Sequence, residues 1–225
     1  MPKQAGDSAI KGVRMFGKIS GIAFVCLVIV LMLAGFTSTC GNTADTSNVN
    51  SISSYDRQAA YDYAQKYWNK VCSDGCFWDE WKRPFSPTCG LKPGMSLKRR
   101  EQTGYDCCHF VSCCIGNEPN EKGGGLNVDT NTQVPPAYGE PASNRLKNWL
   151  LDNDIAEEVS SISQLEKGDA IFYDFRGNDW PDHSSLYLGD GKIAAHSWSF
   201  WNINWDRFDG YYVKFNPIFI HIIGR

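Results

Sequence analysis

The sequence of 225 residues has no extended cluster of lysine and arginine, and its formal net charge is −3. Because proteins contact phosphates through clustered basic side chains, nucleic acid is excluded as the main partner. The chain also has no internal repeat and only one long apolar run, which excludes a polytopic membrane protein. Since 42% of its residues are hydrophobic, a disordered chain is excluded as well. One globular domain with a core is therefore expected.

The first 36 residues are typical of an export signal or a membrane anchor. Residues 1–18 carry four basic side chains against one acid, and residues 19–36 are apolar without a charge. A run of 18 residues is shorter than the ~20 of a spanning helix and longer than the usual core of a cleaved signal, so both readings stay open. Positive charge before the run predicts that the following domain is membrane-anchored or secreted, on the extracytoplasmic side.

Residues 37–54 are rich in serine, threonine and asparagine and offer almost nothing to bury. This composition predicts a flexible tether between the membrane and the exported domain. Cys40, just past the apolar run, stands where lipoproteins carry their lipid, although its neighbours Thr37 and Thr39 fit that motif poorly. Cleavage, lipidation and retention of the N-terminal segment thus remain alternatives.

Residues 55–225 contain the patterns of a folded α+β domain. Apolar spacing predicts three helices, over residues 55–71, 106–116 and 143–153. Alternating apolar residues predict strands over 169–175, 183–189, 192–197, 211–215 and 218–223. Helices that precede strands indicate helices packed on an antiparallel sheet. The segment 72–100 has no periodicity and is expected to be an irregular insert held by covalent or metal staples.

Cys107 is the best candidate for a nucleophile. It follows Asp106, a favourable N-cap residue, at the first position of the second helix. There the helix dipole favours the thiolate, and the helical spacing puts Cys107 on the inward-facing stripe. The alternatives are a structural or disulfide-bonded Cys107, or Cys108 as the nucleophile. Cys108 lies ~100° further round the helix, so it is expected to face away from that stripe.

The last part of the chain supplies two histidines as partners. Residues 190–191 are Asp-Gly, which predicts a two-residue hairpin turn and a register that places Ser185 opposite His196. His183 shares a face with Ser185 because side chains alternate along a strand. The two histidines are then diagonal neighbours roughly 7 to 8 Å apart. The alternative is that both are ordinary strand histidines.

The expected roles divide between the two rings. His183 would take the proton of Cys107 and return it to the leaving amine, and His196 would orient the ring of His183. His109 lies off the stripe of Cys107, and His221 lies in an aliphatic strand. Both are therefore expected to be structural.

Several segments are similar to a known family. The string Asp-Cys-Cys-His-Phe-Val-Ser-Cys at residues 106–113 resembles the Asp-Cys-x-x-Phe-Val-Ser signature of the putative amidase domain family. That family lies within the papain-like cell-wall hydrolase superfamily, which includes NlpC-type endopeptidases and CHAP amidases. Segments that match in the family's order are residues 55–64, 165–173, 183–189 and 195–197.

The resemblance implies a papain-like fold and a cysteine amidohydrolase or endopeptidase. Cys107 would be the nucleophile, His183 the base and His196 the third polar residue. The substrate would be a peptide or cell-wall polymer, and we expect no cofactor and no metal in the reaction. The family seldom has a cysteine at the position of Cys108, and the insert has no counterpart in the family pattern. A catalytically inactive, disulfide-rich binding module and an acyltransferase on the same scaffold remain alternatives.

Nine cysteines are an odd number that requires an explanation. Two belong to the N-terminal region, and if Cys107 is the nucleophile the remaining six could form three disulfides. Zinc bound by the insert's cysteines with Cys113 as fourth ligand is the alternative, but disulfides are favoured outside the cell. The six cysteines are Cys72, Cys76, Cys89, Cys108, Cys113 and Cys114. Cys113 or Cys114 is a candidate disulfide partner for the insert, but the sequence allows several pairings and does not choose among them.

Overall fold

The computed structural model describes residues 54–78, 86–97, 106–207 and 216–224. The predicted basic region, apolar run and tether, up to residue 53, lie outside these residues, as does the predicted strand 211–215. Within the described ranges, no helix is both long enough and apolar enough to cross a bilayer.

Three α-helices are present among the described residues, as the sequence predicts. Helix α1 begins after Asp56, whose carboxylate accepts the backbone N–H of Ala59 as a cap. It ends four residues earlier than the expected boundary, and its buried side chains include Tyr63 and Tyr67. The helices are α1 (Arg57–Tyr67), α2 (Asp106–Ile115) and α3 (Ser143–Asp152).

Six strands form one antiparallel sheet, which confirms an α+β architecture. The order across the sheet is β3-β8-β4-β5-β6-β7. A separate two-stranded ribbon in the insert pairs β1 (Phe77–Trp78) with β2 (Pro87–Thr88). The sheet strands are β3 (Ala156–Val159), β4 (Ala170–Asp174), β5 (His183–Gly189), β6 (Lys192–Ala195), β7 (Phe200–Asn204) and β8 (Asn216–Ile222).

Two of these strands are not among the predicted ones, and both lie at an edge of the sheet. In β3, Glu157 and Glu158 stand side by side and exposed, so the strand shows no alternation of apolar and polar residues. Strand β7 lies in a stretch rich in aromatic residues, 198–205, that follows His196. Edge strands have only one neighbour, which weakens the burial pattern that sequence analysis depends on.

The two faces of the sheet bury different side chains. Phe172, Leu186 and Ala194 belong to the core shared with α1 and α2. Their sequence neighbours Tyr173 and Tyr187 belong to a second apolar cluster on the opposite face. Which face a strand residue occupies therefore decides whether it can reach α2.

All ten residues of α2 are buried. The helix contacts α1, α3, the ribbon strand β1 and strands β5 and β6, which together enclose it. The prediction that Cys108 faces away from the core is wrong for this reason, since Cys108 is 0% exposed and Cys107 is 5% exposed.

The hairpin between β5 and β6 has the expected turn but not the expected register. Asp190 and Gly191 connect the paired residues Gly189 and Lys192, as predicted. A bulge at Leu188 then shifts the ladder by one residue, so that Leu186 pairs with Ala194. Two residues beyond the pair of Leu186 and Ala194, the same register places His196 opposite Ser184, whereas the sequence predicts Ser185.

Buried charges join α1 to the sheet. Asp169 is fully buried, and its carboxylate accepts hydrogen bonds from Arg57 at 2.6 Å and from the backbone N–H of Ile222 at 2.9 Å. The ring of His221 lies 2.8 Å from the same carboxylate. His221 therefore serves the packing of β8 against α1.

The described part of the insert, residues 72–78 and 86–97, is irregular apart from its short ribbon, and a disulfide closes it. Cys76 is bonded to Cys89, 13 residues along the chain. The prediction that Cys113 or Cys114 pairs with the insert is wrong, because both have free thiols. The other free thiols among the described residues belong to Cys72, Cys107 and Cys108.

Candidate active site

Cys107 lies in the first turn of α2 beneath strand β5. Burial raises the pKa of the Cys107 thiol, and the charge of Asp106 acts in the same direction. Hydrogen bonds from the backbone and hydroxyl of Ser184 and from the hydroxyl of Ser143 lower the pKa but do not offset burial. The sequence predicts that the helix dipole favours the thiolate of Cys107. This prediction is wrong, because the loss of water around the buried sulfur outweighs the dipole.

Asp106 is the first residue of α2, as predicted, and its carboxylate is buried. One oxygen accepts the backbone N–H of Trp78 at 2.8 Å and lies 3.0 Å from Nδ1 of His109. The other lies 2.6 Å from Nδ1 of His196. Burial alone would raise the pKa of Asp106, but the charges and hydrogen bonds of the two histidines lower it to about 2.

His196 lies on the face of the sheet that packs against α2, the helix that contains Cys107. Its Nδ1 is bound to Asp106, and its Nε2 lies 2.8 Å from the backbone carbonyl of Tyr67. The ring stacks on Phe110 of α2, with 4.2 Å between ring centroids. Contacts on both nitrogens and on one ring face fix the orientation of this imidazole.

His183 lies on the opposite face of the sheet. It pairs with Tyr173 of β4, and its ring packs near the rings of Tyr173, Phe175 and Trp198, at centroid distances of 5.7, 6.1 and 5.2 Å. Burial lowers the pKa of His183 to about 3. The structure thus brings His196 to the first turn of α2 and does not bring His183 there.

A second group of reactive side chains lies beside Asp106 and was missed by the sequence analysis. His109, expected to be an ordinary structural histidine, is 0% exposed. Its Nε2 lies 2.8 Å from Asp74 and 3.7 Å from the sulfur of Cys113. The spacing of Asp106, His109 and Cys113 along α2 places all three on one side of the helix. That spacing is visible in the sequence.

A comparison with models of known protein families finds a match over most of the domain. A profile described as a putative amidase domain matches residues 54–216. The matched range contains Cys107, His183 and His196, together with the insert. No curated protein and no solved structure is significantly similar to the chain.

Proposed function

The chain belongs to the putative amidase domain family, and on this premise we propose that it cleaves amide bonds through the thiol of Cys107. Membership supports amide hydrolysis in general, and the thiol mechanism is the proposed refinement. The observation that carries it is the position of Cys107 in the first turn of α2, next to the hydrogen-bonded pair of Asp106 and His196. Backbone N–H groups without an intrahelical partner at a helix start can stabilise the oxyanion of a tetrahedral intermediate.

The proposed reaction has two stages. The Cys107 thiol loses its proton to an imidazole, and the sulfur attacks the carbonyl carbon of the amide. The carbon–nitrogen bond breaks, the imidazolium returns the proton to the leaving amine, and a thioester remains on Cys107. Water, deprotonated by the same imidazole, then attacks the thioester and releases a carboxylic acid and the free thiol.

Two histidines are candidates for the base. The family resemblance implies His183 as the base, with His196 orienting it, and these roles are part of the proposal. The distribution of side chains favours a second assignment, in which His196 is the base and Asp106 orients it, because His196 is hydrogen-bonded to Asp106, the residue that precedes Cys107. In that case Nε2 of His196 exchanges the carbonyl of Tyr67 for the thiol when substrate binds.

The substrate and location are proposed from the resemblance and from residues 1–54. We place the domain outside the cytoplasm, anchored or released by the N-terminal segment, acting on peptides of the cell wall. Protease digestion of intact cells, followed by detection of the domain, checks the location. Digestion only after lysis would contradict it.

Purified cell-wall peptide and the full-length protein test the chemistry. Amide cleavage is followed as the release of new amino groups, with mapping of the cysteine that reacts with iodoacetamide. Cys107→Ala is expected to abolish both signals, whereas the adjacent Cys108→Ala retains them. Cleavage by the Cys107→Ala protein would refute the thiol mechanism.

The same assay separates the two bases. If His183 is the base, His183→Gln loses activity by about two orders of magnitude or more and His196→Gln loses less. If His196 is the base, the order reverses, and Asp106→Asn follows His196→Gln. Equal activity in both histidine variants would exclude both assignments.

A further inference from the structure

Three buried side chains converge beneath the insert. The sulfur atoms of Cys72 and Cys113 and a ring nitrogen of His109 all lie within 4.8 Å of one another. Cys72 follows α1 in the chain, while His109 and Cys113 are one helical turn apart on α2. Each of the three side chains is 0% exposed.

From this convergence we propose that Cys72, His109 and Cys113 bind a zinc ion, with Asp74 as the fourth ligand. Two thiolates, an imidazole and a carboxylate are a donor set that zinc accepts in tetrahedral sites. None of the four residues has a role in the proposed amide hydrolysis. The two sites share one neighbour, Asp106, whose carboxylate contacts both His109 and His196.

The distances fit such a site. Tetrahedral zinc with bonds of ~2.3 Å to sulfur and ~2.0 Å to nitrogen separates these two ligand atoms by roughly 3.6 Å. The sulfur of Cys113 lies 3.7 Å from Nε2 of His109. Oδ2 of Asp74 lies 2.8 Å from the same nitrogen but is not among the three ligand atoms that lie within 4.8 Å of one another, so it must shift to complete the site.

The surroundings hold the imidazole in the orientation that metal binding requires. Nδ1 of His109 lies 3.0 Å from the carboxylate of Asp106, which fixes the ring and directs Nε2 at the cluster. A carboxylate behind a metal-binding histidine is the usual outer contact in zinc sites. Oδ2 of Asp74 is itself held by the backbone N–H of Tyr138 at 3.0 Å.

The disulfide of the insert explains why Cys72, and not Cys76 or Cys89, is the cysteine of the insert that is free to bind the metal. Cys76 and Cys89 are bonded to each other, which leaves Cys72 as the free thiol of the described part of the insert. It lies at the root of the insert, and its sulfur is within 4.8 Å of the sulfur of Cys113 on α2. A zinc ion here joins the insert to α2, whereas the disulfide closes the insert on itself.

The metal content of the full-length protein, purified in mild detergent without chelators, tests the proposal. We expect about one zinc per chain by elemental analysis, as for a single four-ligand site. Replacement by Co²⁺ is expected to give the tetrahedral cobalt spectrum with sulfur-to-cobalt charge transfer. Cys72→Ser, Cys113→Ser and His109→Gln lose the metal. Cys114→Ser, a buried neighbour outside the cluster, keeps it.

Thiol counting on the wild-type protein makes the test independent of whether the variants fold. Two thiols become reactive only after a chelator removes the zinc, and peptide mapping assigns them to Cys72 and Cys113. A Cys72–Cys113 disulfide in the native protein, or failure of the wild type to bind zinc, would overturn the site. Cys107→Ala binds zinc normally, so a failure of the proposed function is distinguishable.

Discussion

Asp106 and His196 are 90 residues apart in the chain and are joined by a 2.6 Å hydrogen bond between Oδ2 and Nδ1. This bond fastens the start of α2 to the end of β6. The same carboxylate accepts the backbone N–H of Trp78, so helix, sheet and insert meet at one buried group.

Removal of this carboxylate is expected to destabilise the domain. Asp106→Ala leaves buried donors on His196, His109 and Trp78 without their acceptor and should cost about 3 kcal/mol of unfolding free energy. Chemical denaturation checks this, with the exposed Asp152→Ala as the control. A loss below about 1 kcal/mol would mean that water replaces the carboxylate.

The buried ring of His183 predicts how stability depends on pH. Its pKa is about 3 in the folded protein against ~6.5 in an unfolded chain. Between these values the unfolded state binds one more proton, so stability rises with pH and is lost as pH falls from about 6.5 toward 3. The slope from this group reaches about 1.4 kcal/mol per pH unit.

Comparing wild type and His183→Gln isolates this contribution. Denaturation between about pH 4 and 6 should show a flatter pH dependence in the variant, because it has no group to protonate at this position. Asp106 and Asp74 remain in both proteins, so their titration cancels in the difference. Parallel curves would show that His183 is accessible to protons in the folded state.

The ion pair between Arg57 and Asp169 is expected to be essential for docking α1. Asp169→Ala leaves Arg57 and the N–H of Ile222 facing a buried cavity, which should cost about 3 kcal/mol. Thermal unfolding measures the loss. Glu166→Ala is the matched control, because Glu166 also pairs with Arg57 but is 63% exposed in its side chain. Equal effects of the two substitutions would contradict this account.

The disulfide between Cys76 and Cys89 is expected to stabilise the insert. Cross-linking residues at this separation removes unfolded-state entropy corresponding to about 2 to 3 kcal/mol. The Cys76→Ser/Cys89→Ser double variant should unfold at lower denaturant concentration, and reduction of the wild type should act alike. Unchanged stability after reduction would show that the loop stays ordered without the bond.

The helices and the central strands are predictable from sequence because their signals are local. Apolar spacing marks α1 and α2, and the Asp-Gly pair at 190–191 marks the hairpin turn. The face on which His183 lies is not predictable in the same way. A prediction that counts residues back from the turn assumes a regular ladder. The bulge at Leu188 adds one unpaired residue, which turns His183 to the other face.

The cluster around His109 escaped sequence analysis for a different reason. An amphipathic reading gives a helix one buried stripe, and His109 falls outside the stripe that contains Cys107 and Phe110. That reading assumes that one side of α2 faces water. The insert covers this side, and because the insert has no periodicity its position cannot be inferred from the sequence.

The complete enclosure of α2 has a consequence for sequence variation. A helix with a solvent-facing side tolerates many substitutions there, but α2 offers ten consecutive positions at which any change of volume or polarity meets packed neighbours. We expect a saturation scan of α2 to accept almost only residues of similar size. Related sequences should accordingly diverge in the insert and the edge strands before they diverge in this helix.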